Sequence, residues 1–584
     1  MKETTRRGSP ERLIILIILA VTFAVFSRSL QAGFVHWDDD IVYDNPHIRG
    51  LDWQRIYWMF TDLHYLWRYM PLTWLGWAVT YELFGLNPFG YHLGNVLFHC
   101  ANAVLVFLLL RKLLLIGTQS ESAAADRDYL LWCCGLGAML WAIHPLRVEP
   151  VAWVTDRVYC QALFFLLISL LCYLQFSDPA NPAARRFFWC SVSAFAVSLL
   201  SYQTGLGYVI VLAVLDAWPL KRFHQGNGWW RDATARRIWL EKLPFAAVAA
   251  LVVVLTLLAR FQTTGGRARP VSLAEFGLLE RALQAFYIWT YYFWKPWFPV
   301  NLSPYYTALI SVEPTAARFL ISLVVVLTLT VLLWCNRHRW PLLWTLWLCH
   351  LILLVPVLGL TEHPHYSSDR YSIIAGITWS VLVAAGLFKF GEIPRLRRLM
   401  PIAITSILVV LGTLSYSQTG IWQNSVALHE HMIAELDGSP YRVGIYLRLG
   451  HIYYSEQGND EAAAACFRQV LLINPNISEA HSYLAVVLQR QGKIDEAISH
   501  DREVLRMNPN DYGSHNNLGA ALAAQGKFEE AITHLSEAVR LNPGSPNAHR
   551  NLARALTQLG KADEARMHEL EAQRLDAGQP GLPP

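Results

Sequence analysis

About eleven apolar stretches punctuate the first 420 residues of the chain, near 13–30, 91–112, 129–144, 158–176, 187–203, 206–220, 243–261, 316–335, 341–360, 371–389 and 400–418. Each is about long enough to cross a bilayer as a helix. The basic residues between them cluster at Arg6 and Arg7, Arg111 and Lys112, Arg185 and Arg186, Lys221 to Lys242, Arg337 to Arg339 and Arg395 to Arg398. The positive-inside bias assigns those clusters to the cytoplasm. An odd number of crossings then puts the N-terminus in the cytoplasm and the C-terminus across the membrane. The segment AFYIWTYYFWKPWFPV, 285–300, would invert every later loop if it crossed, so its Trp and Tyr density predicts an interfacial or re-entrant piece on the outer side. Residues 51–89, also rich in Trp and Tyr, predict amphipathic helices on that surface.

Beyond residue 440 the pattern changes to a fixed period. Asn474-Pro475, Asn508-Pro509 and Asn542-Pro543 recur every 34 residues, as do Gly458, Gly492, Gly526 and Gly560, and Ala463, Ala497, Ala531 and Ala565. Leu484, Leu518 and Leu552 keep the same step. A 34-residue helix-turn-helix period is the signature of tetratricopeptide repeats, whose units bury their apolar faces only against one another. The expected organisation is an all-α, polytopic membrane bundle over 1–420 with a first outer loop at 31–90, a linker at 421–442, about four repeats over 443–576 and a flexible tail at 577–584. Such a solenoid offers a groove for a peptide or protein partner.

Composition narrows the classes. Of 584 residues 54% are hydrophobic and 16% charged, against about 25% charged in soluble domains. The net charge of +4 gives no basic stripe for nucleic acid. Nine cysteines show neither a disulfide framework nor zinc spacing. The first apolar run lacks a small-residue cleavage site, so it reads as a retained span. There is no GxGxxG or Walker-type loop.

The polar chemistry outside the repeats collects in the loops assigned to the outer side: HWDDDIVYDNP (36–46), HPLRVEPVAWVTDR (144–157), FQTTGGRARP (261–270), LSPYY (302–306) and EHPHYSSDRY (362–371). Asp38, Asp39 and Asp40 cannot sit in hydrocarbon, where each charge costs roughly 2.5–3.5 kcal/mol even on lenient scales. An enzyme on that face has no nucleotide sugars, so a transferred sugar must arrive on a carrier in the bilayer, such as a polyprenyl phosphate. Asp38 or Asp39 would take the proton of an attacking hydroxyl, and Arg157, Arg370, His144 and His365 are the groups at hand for the departing phosphate. Each also has a local explanation: Arg370 paired with Asp369, Arg157 with Glu149. Three carboxylates are compatible with a divalent cation, but no metal site or cofactor is assigned.

The motifs FVHWDDD, NPFGYHLGNVLFHCANA (87–103), HPLRVEPVAW, VLDAWPLKR (214–222), VNLSPYY (300–306), DRY (369–371) and WQNSVALHEH (422–431) resemble those of the transmembrane and tetratricopeptide repeat O-mannosyltransferase family and its bacterial relatives, within the GT-C glycosyltransferase superfamily. The resemblance implies a lipid-phosphate-sugar-dependent transferase acting on a hydroxyl of a protein or glycan, with Asp38 and Asp39 as the acid pair. It implies substrate contacts from the motif residues Asp40, His144, Arg147, Glu149, Arg157, Tyr202, Tyr305, His365, Asp369, Arg370 and Tyr371. The repeats would then lie in a periplasm or an endoplasmic reticulum lumen. Two positions depart from the pattern. Where similar proteins carry an acid two places after the arginine, this chain has Val158 and Tyr159, and where they carry a lysine in LLSK it has Tyr202. These departures leave three readings open: a different donor sugar, a phosphate site shifted onto Arg157 and Arg370, or a scaffold without catalysis. Arg147, where histidine is common, would restore one positive charge. A component of lipid-linked glycan assembly shares most of these features.

Overall fold

The computed structural model describes residues 10–65, 69–117, 126–223, 232–262, 271–361, 363–436 and 438–577. Arg6 and Arg7, residues 263–270, Glu362 and the tail 578–584 lie outside the described residues. The chain divides into two compact units, Met1–Asn424 and Ser425–Pro584. Both are helical, and no strand occurs among the described residues.

Among the described residues of the first unit seven helices are long and apolar enough to cross a membrane: Glu11–Gln31, Pro88–Gly117, Arg157–Phe176, Ala233–Phe261, Ala317–Cys335, Asp369–Phe390 and Pro394–Trp422. An eighth crossing arises if the pair Arg127–Ala142 and Pro145–Ala152, bent by 62°, is one span. This is fewer than the eleven apolar stretches, because an apolar run is not always an unbroken helix. Gln203–Ala217 and Pro341–Val357 are apolar but short, and the stretch at 187–203 ends its helix at Ser201, where Tyr202 turns extended. The 285–300 segment forms most of the helix Leu278–Trp294 and then leaves helical structure. Residues 51–89 give the helices Trp53–Thr61 and Pro71–Phe84.

The bend in the pair follows from Pro145: a residue before proline is pushed out of the α region, and His144 is extended with ψ 139°. Breaking a helix inside a membrane protein frees carbonyls that lipid cannot satisfy. The helix Pro88–Gly117 supplies the donors. His92, Asn95, His99 and Asn102, spaced by three and four, form one buried stripe. Asn95 Nδ2 donates to Trp153 O at 2.8 Å, Asn102 Nδ2 to Cys160 O at 2.9 Å, and His99 Nε2 bonds Ala142 O at 2.7 Å. The polar letters of NPFGYHLGNVLFHCANA thus hold the irregular backbone 142–160 in place.

VLDAWPLKR anchors a second buried network. The Asp216 carboxylate, fully enclosed, accepts from Tyr173 OH at 2.7 Å and Arg222 Nη1 at 3.1 Å and pairs with Lys242 Nζ at 2.6 Å, while Arg222 also bridges to Glu241 at 2.7 Å. Removing one member of such a buried group leaves a charge uncompensated, at a cost of about 3–5 kcal/mol.

In the second unit the 34-residue period becomes four helix pairs: Arg442–Ser455 with Asp460–Ile473, Ser478–Arg490 with Ile494–Met507, Tyr512–Ala524 with Phe528–Leu541, and Pro546–Gln558 with Ala562–Asp576. Gly526, at φ +76°, makes the left-handed turn between two paired helices, and the glycines in step with it do the same. Ala463, Ala497 and Ala531 are fully buried where paired helices meet. A Cβ on Gly519 would lie 2.5 Å from Leu535, so the small residue is what permits that approach.

Candidate functional site

Asp39 fastens the first loop to the broken helix pair. Its Oδ2 accepts from Val35 N–H at 2.8 Å and its Oδ1 from Thr155 N–H at 3.1 Å and from the Thr155 hydroxyl at 2.5 Å. The Thr155 hydroxyl also lies 3.1 Å from Asp38 O. Asp39 is fully enclosed, and burial pushes its carboxyl up to about 7 against the three hydrogen bonds that pull it down. Asp38 beside it is half-buried, and Asp40 is exposed at the start of the short helix Asp40–Tyr43. Of the triplet, Asp39 is thus a tethered, enclosed carboxylate, whereas Asp38 and Asp40 reach solvent.

One residue past Thr155 begins a cluster around Arg370. Asp156 Oδ1 lies 3.7 Å from Arg370 Nε, and Glu149 Oε1 forms a close ion pair with Arg370 Nη1. Glu149 also accepts from the Arg370 backbone N–H at 3.0 Å and from the Ser368 hydroxyl. Arg370 Nε donates to Tyr159 OH at 3.3 Å, and the guanidinium lies 5.2 Å from the ring centroids of both Trp153 and Tyr371. The local pairings expected from sequence give way to these longer-range ones. Asp369 accepts from Tyr306 OH at 2.9 Å instead of meeting Arg370, and Arg157 donates to Thr80 Oγ1 at 2.7 Å rather than pairing with Glu149. Backbone geometry explains the first exchange: Asp369 and Arg370 open a 3₁₀ turn, which points adjacent side chains to different partners.

Arg147 and Arg157 are buried cations without an ion pair among the described residues. Arg147 Nη2 donates to Ser372 Oγ at 2.7 Å, and its Nε and Nη1 have no hydrogen-bond partner. Arg157 lies over the Phe98 ring at 5.4 Å, and a Cβ on Gly94 would come within 3.2 Å of its guanidinium. Buried cations of this kind are usually paired, so both are marked as anion-binding candidates.

His144 is fully used by structure. Its Nδ1 accepts from Leu146 N–H at 3.2 Å, which makes Nε2 the protonated nitrogen, and that atom meets Pro296 O at 2.9 Å. His365 is buried and stacks on Tyr371, centroids 6.2 Å apart. Tyr305 stacks on Tyr366 at 5.0 Å and meets Trp37 edge-on at 6.1 Å, which carries the 300–306 segment to the acidic loop. Tyr202 packs on Tyr159 at 4.9 Å.

Sequence reasoning passed over four contributors: Thr155, Asp156, Tyr306 and Lys295. Lys295 is buried; its Nζ donates to Val300 O at 2.7 Å and lies 5.6 Å from the Tyr306 ring, and its charge acts on Asp369. The one signal for it was a lone lysine inside an otherwise aromatic segment. No three His, Cys, Asp or Glu side chains converge in the manner of a metal site among the described residues.

Comparison with known proteins gives three findings. The tetratricopeptide repeat family matches residues 443–477, 476–541 and 522–567. Protein O-mannosyl-transferase TMTC4 of Homo sapiens is 28% identical over 222 residues, covering 36% of this chain and 30% of that protein. Protein O-mannosyl-transferase Tmtc3 of Drosophila melanogaster is 28% identical over 250 residues, covering 38% of this chain and 27% of that protein. The chain therefore spans under a third of the length of these relatives. Among solved structures, MamA from Desulfovibrio magneticus aligns at 20% identity and a TM-score of 0.25 over 27% of this chain and 86% of its own. The resemblance drawn from the motifs is thus matched by relatives of that name, and the chain is an all-helical, multi-pass membrane protein with C-terminal tetratricopeptide repeats.

Proposed function

We propose that this protein is a membrane glycosyltransferase that moves a sugar, mannose in the simplest reading, from a polyprenyl-phosphate carrier to a hydroxyl of a protein on the non-cytoplasmic face. Asp38 accepts the proton as the acceptor oxygen attacks the anomeric carbon; the bond from that carbon to the phosphate oxygen breaks, and the polyprenyl phosphate leaves with both electrons. Asp39 positions the loop that carries Asp38. Lys295, Arg147 and Arg157 offer positive charge to the leaving phosphate, whereas Arg370 is already held by Glu149 and Asp156 and orders the loops around it. The repeats bind the acceptor or a partner protein, in a periplasm or an endoplasmic reticulum lumen.

The observation that carries this reading is the bridge from Asp39 through Thr155 to Asp156 and Arg370, which brings the acidic triplet and the DRY motif to one end of the bundle. Its test is incubation of the purified full chain with a panel of polyprenyl-phosphate sugars and hydroxyl-bearing peptides, read by mass spectrometry. A hexose on Ser or Thr supports it.

The Tyr159 and Tyr202 pair favours a second reading, a repeat scaffold without catalysis, since both replace charged residues of similar proteins. Capture of a partner by a chain that transfers no sugar from any carrier is the result that favours it.

A further inference from the structure

Each of the three joints between the four repeats carries a pair of histidines. His481, His515 and His549 lie in the first helix of the second, third and fourth repeats, and His500, His534 and His568 in the second helix of the same repeats. The Nδ1 atoms of the pairs are 2.8, 3.0 and 2.9 Å apart. The Nε2 of each first-helix ring lies 3.0, 3.1 and 3.1 Å from the carbonyl of Pro475, Pro509 and Pro543, in the turn that leads in from the preceding repeat. At the matching positions the first repeat has Leu447 and Cys466.

These distances fix the hydrogens. A carbonyl only accepts, so each first-helix ring is protonated at Nε2 and, while neutral, bare at Nδ1. Its partner therefore carries its hydrogen at Nδ1 and keeps Nε2 as the basic atom. The ring centroids are 5.0, 5.2 and 5.1 Å apart, longer than the nitrogen separations by about two ring radii, so the nitrogens point head-on at one another. Such geometry suits one shared hydrogen, whereas a tetrahedral metal ion needs both lone pairs turned to a common point beside that line. A first proton goes to Nε2 of His500, His534 or His568 and leaves the bond intact. A second would set Nδ1–H against Nδ1–H. Opening a joint releases both rings, so it takes up a proton that the closed pair has no place for.

Burial, the facing imidazole and an arginine, Arg468 for His500 and Arg502 for His534, push these two rings below the ordinary histidine value, against Glu496 and Glu530. Burial and His549 lower His568 too, but Glu564 and Glu571 act in its favour and Ser536 stands where the other two pairs have arginine. Glu503, Glu537 and Glu571, which also feel the first-helix rings, are held by Arg506, Arg540 and Arg574. Asp501, beside His500, titrates in the opposite sense, so the Pro543 joint gives the cleanest reading.

We propose that the three pairs are acid-sensitive latches, each tying a proline turn to both helices of the next repeat at neutral pH and releasing it as the surrounding compartment acidifies. The closed pair holds fewer protons than the open one below the ordinary histidine value of about 6.5. Closure therefore weakens as pH falls, by up to about tenfold per pH unit for one proton.

The test is amide hydrogen exchange of the detergent-solubilised full chain, read by mass spectrometry at pH 7.5 and 5.0 and corrected for the chemical exchange rate. Protection over 543–549 should fall by about tenfold or more at pH 5.0, as one extra proton requires. A glutamine can both donate to the proline carbonyl and accept from the second ring, so the triple variant His481→Gln, His515→Gln, His549→Gln should keep the protection at pH 7.5 and lose its pH dependence. Exchange of the imidazole C2 hydrogens in the wild-type chain counts protons ring by ring, and at most one per pair is expected down to pH 5.0, with His568 taking its proton at a higher pH than His500 and His534. This second readout decides the matter if the variant does not fold. Both rings of a pair titrating as independent histidines, joint protection that does not change with pH, or a folded triple variant with the wild-type pH dependence would each overturn the proposal.

Discussion

The rings of Tyr159 and Tyr202 meet edge to face with centroids 4.9 Å apart, although 43 positions separate them in the chain. The motif resemblance implies an acid and a lysine in similar proteins at these two positions. A buried charge without its partner is costly, so loss of one charge removes the reason for the other, and an aromatic pair fills the space.

The exchange predicts coupling. Tyr159→Asp alone adds a carboxylate beside Arg370, which Glu149 and Asp156 already hold, and Tyr202→Lys alone adds a cation at a half-buried position; each costs about 1–3 kcal/mol. The double variant recovers most of that loss, as a double-mutant cycle on thermal unfolding of the detergent-solubilised protein would measure. Additive losses would show that the two sites do not exchange charge.

Asp39 and Asp38 should separate by readout. Asp39→Asn turns an amide towards at least one of the Val35 and Thr155 donors, which costs about 1–3 kcal/mol of stability. Asp38→Asn, an isosteric change at a half-buried position, lowers kcat by about 100-fold or more in a protein that still folds, the usual scale for a lost general base.

Asp501 gives the repeat unit a pH dependence. It is fully buried, both carboxylate oxygens lack a hydrogen bond among the described residues, and burial pushes its pKa up to about 8. A folded-state pKa above the unfolded one means that the native state binds more protons between the two values, so this group's contribution to stability falls as pH rises from about 4 to about 8. By neutral pH the loss is roughly 4 kcal/mol. The positions 34 residues away hold Phe467 and Leu535. Asp501→Leu should therefore raise the unfolding temperature of this unit at pH 7 and flatten its dependence between pH 4 and 8, as measured by calorimetry.

Breaking the Arg370 cluster should disorder the loops it joins. Glu149→Gln removes the closest counter-charge of a guanidinium with only 18% of its side chain exposed, at about 3–5 kcal/mol. Faster hydrogen exchange over 363–371 and 149–157 would report it.

Much of the fold was legible in the sequence, for physical reasons that differ by element. The solenoid was plain because glycine, alanine and Asn-Pro positions each kept the same 34-residue step, and each serves a different contact. The membrane helices were visible as apolar runs, but hydropathy does not register where Pro145 or Tyr202 breaks a helix. The site was half legible. The acidic triplet and DRY stood out as charges beside spans, yet their partners, Thr155 for Asp39 and Glu149 for Arg370, lie more than a hundred residues away and follow from packing alone. Likewise the stripe His92, Asn95, His99 and Asn102 acquires meaning only when the broken backbone it serves is seen. Lys295 was masked by the aromatic residues that now surround its ammonium.

The most direct test of the central claim is a comparison of wild-type protein with Asp38→Asn, both reconstituted and shown to be inserted and folded, supplied with a polyprenyl-phosphate hexose and a Ser/Thr peptide. Release of polyprenyl phosphate with a hexose on the peptide for wild type, and neither product for the variant, is the predicted result. Equal transfer by the two proteins would contradict it.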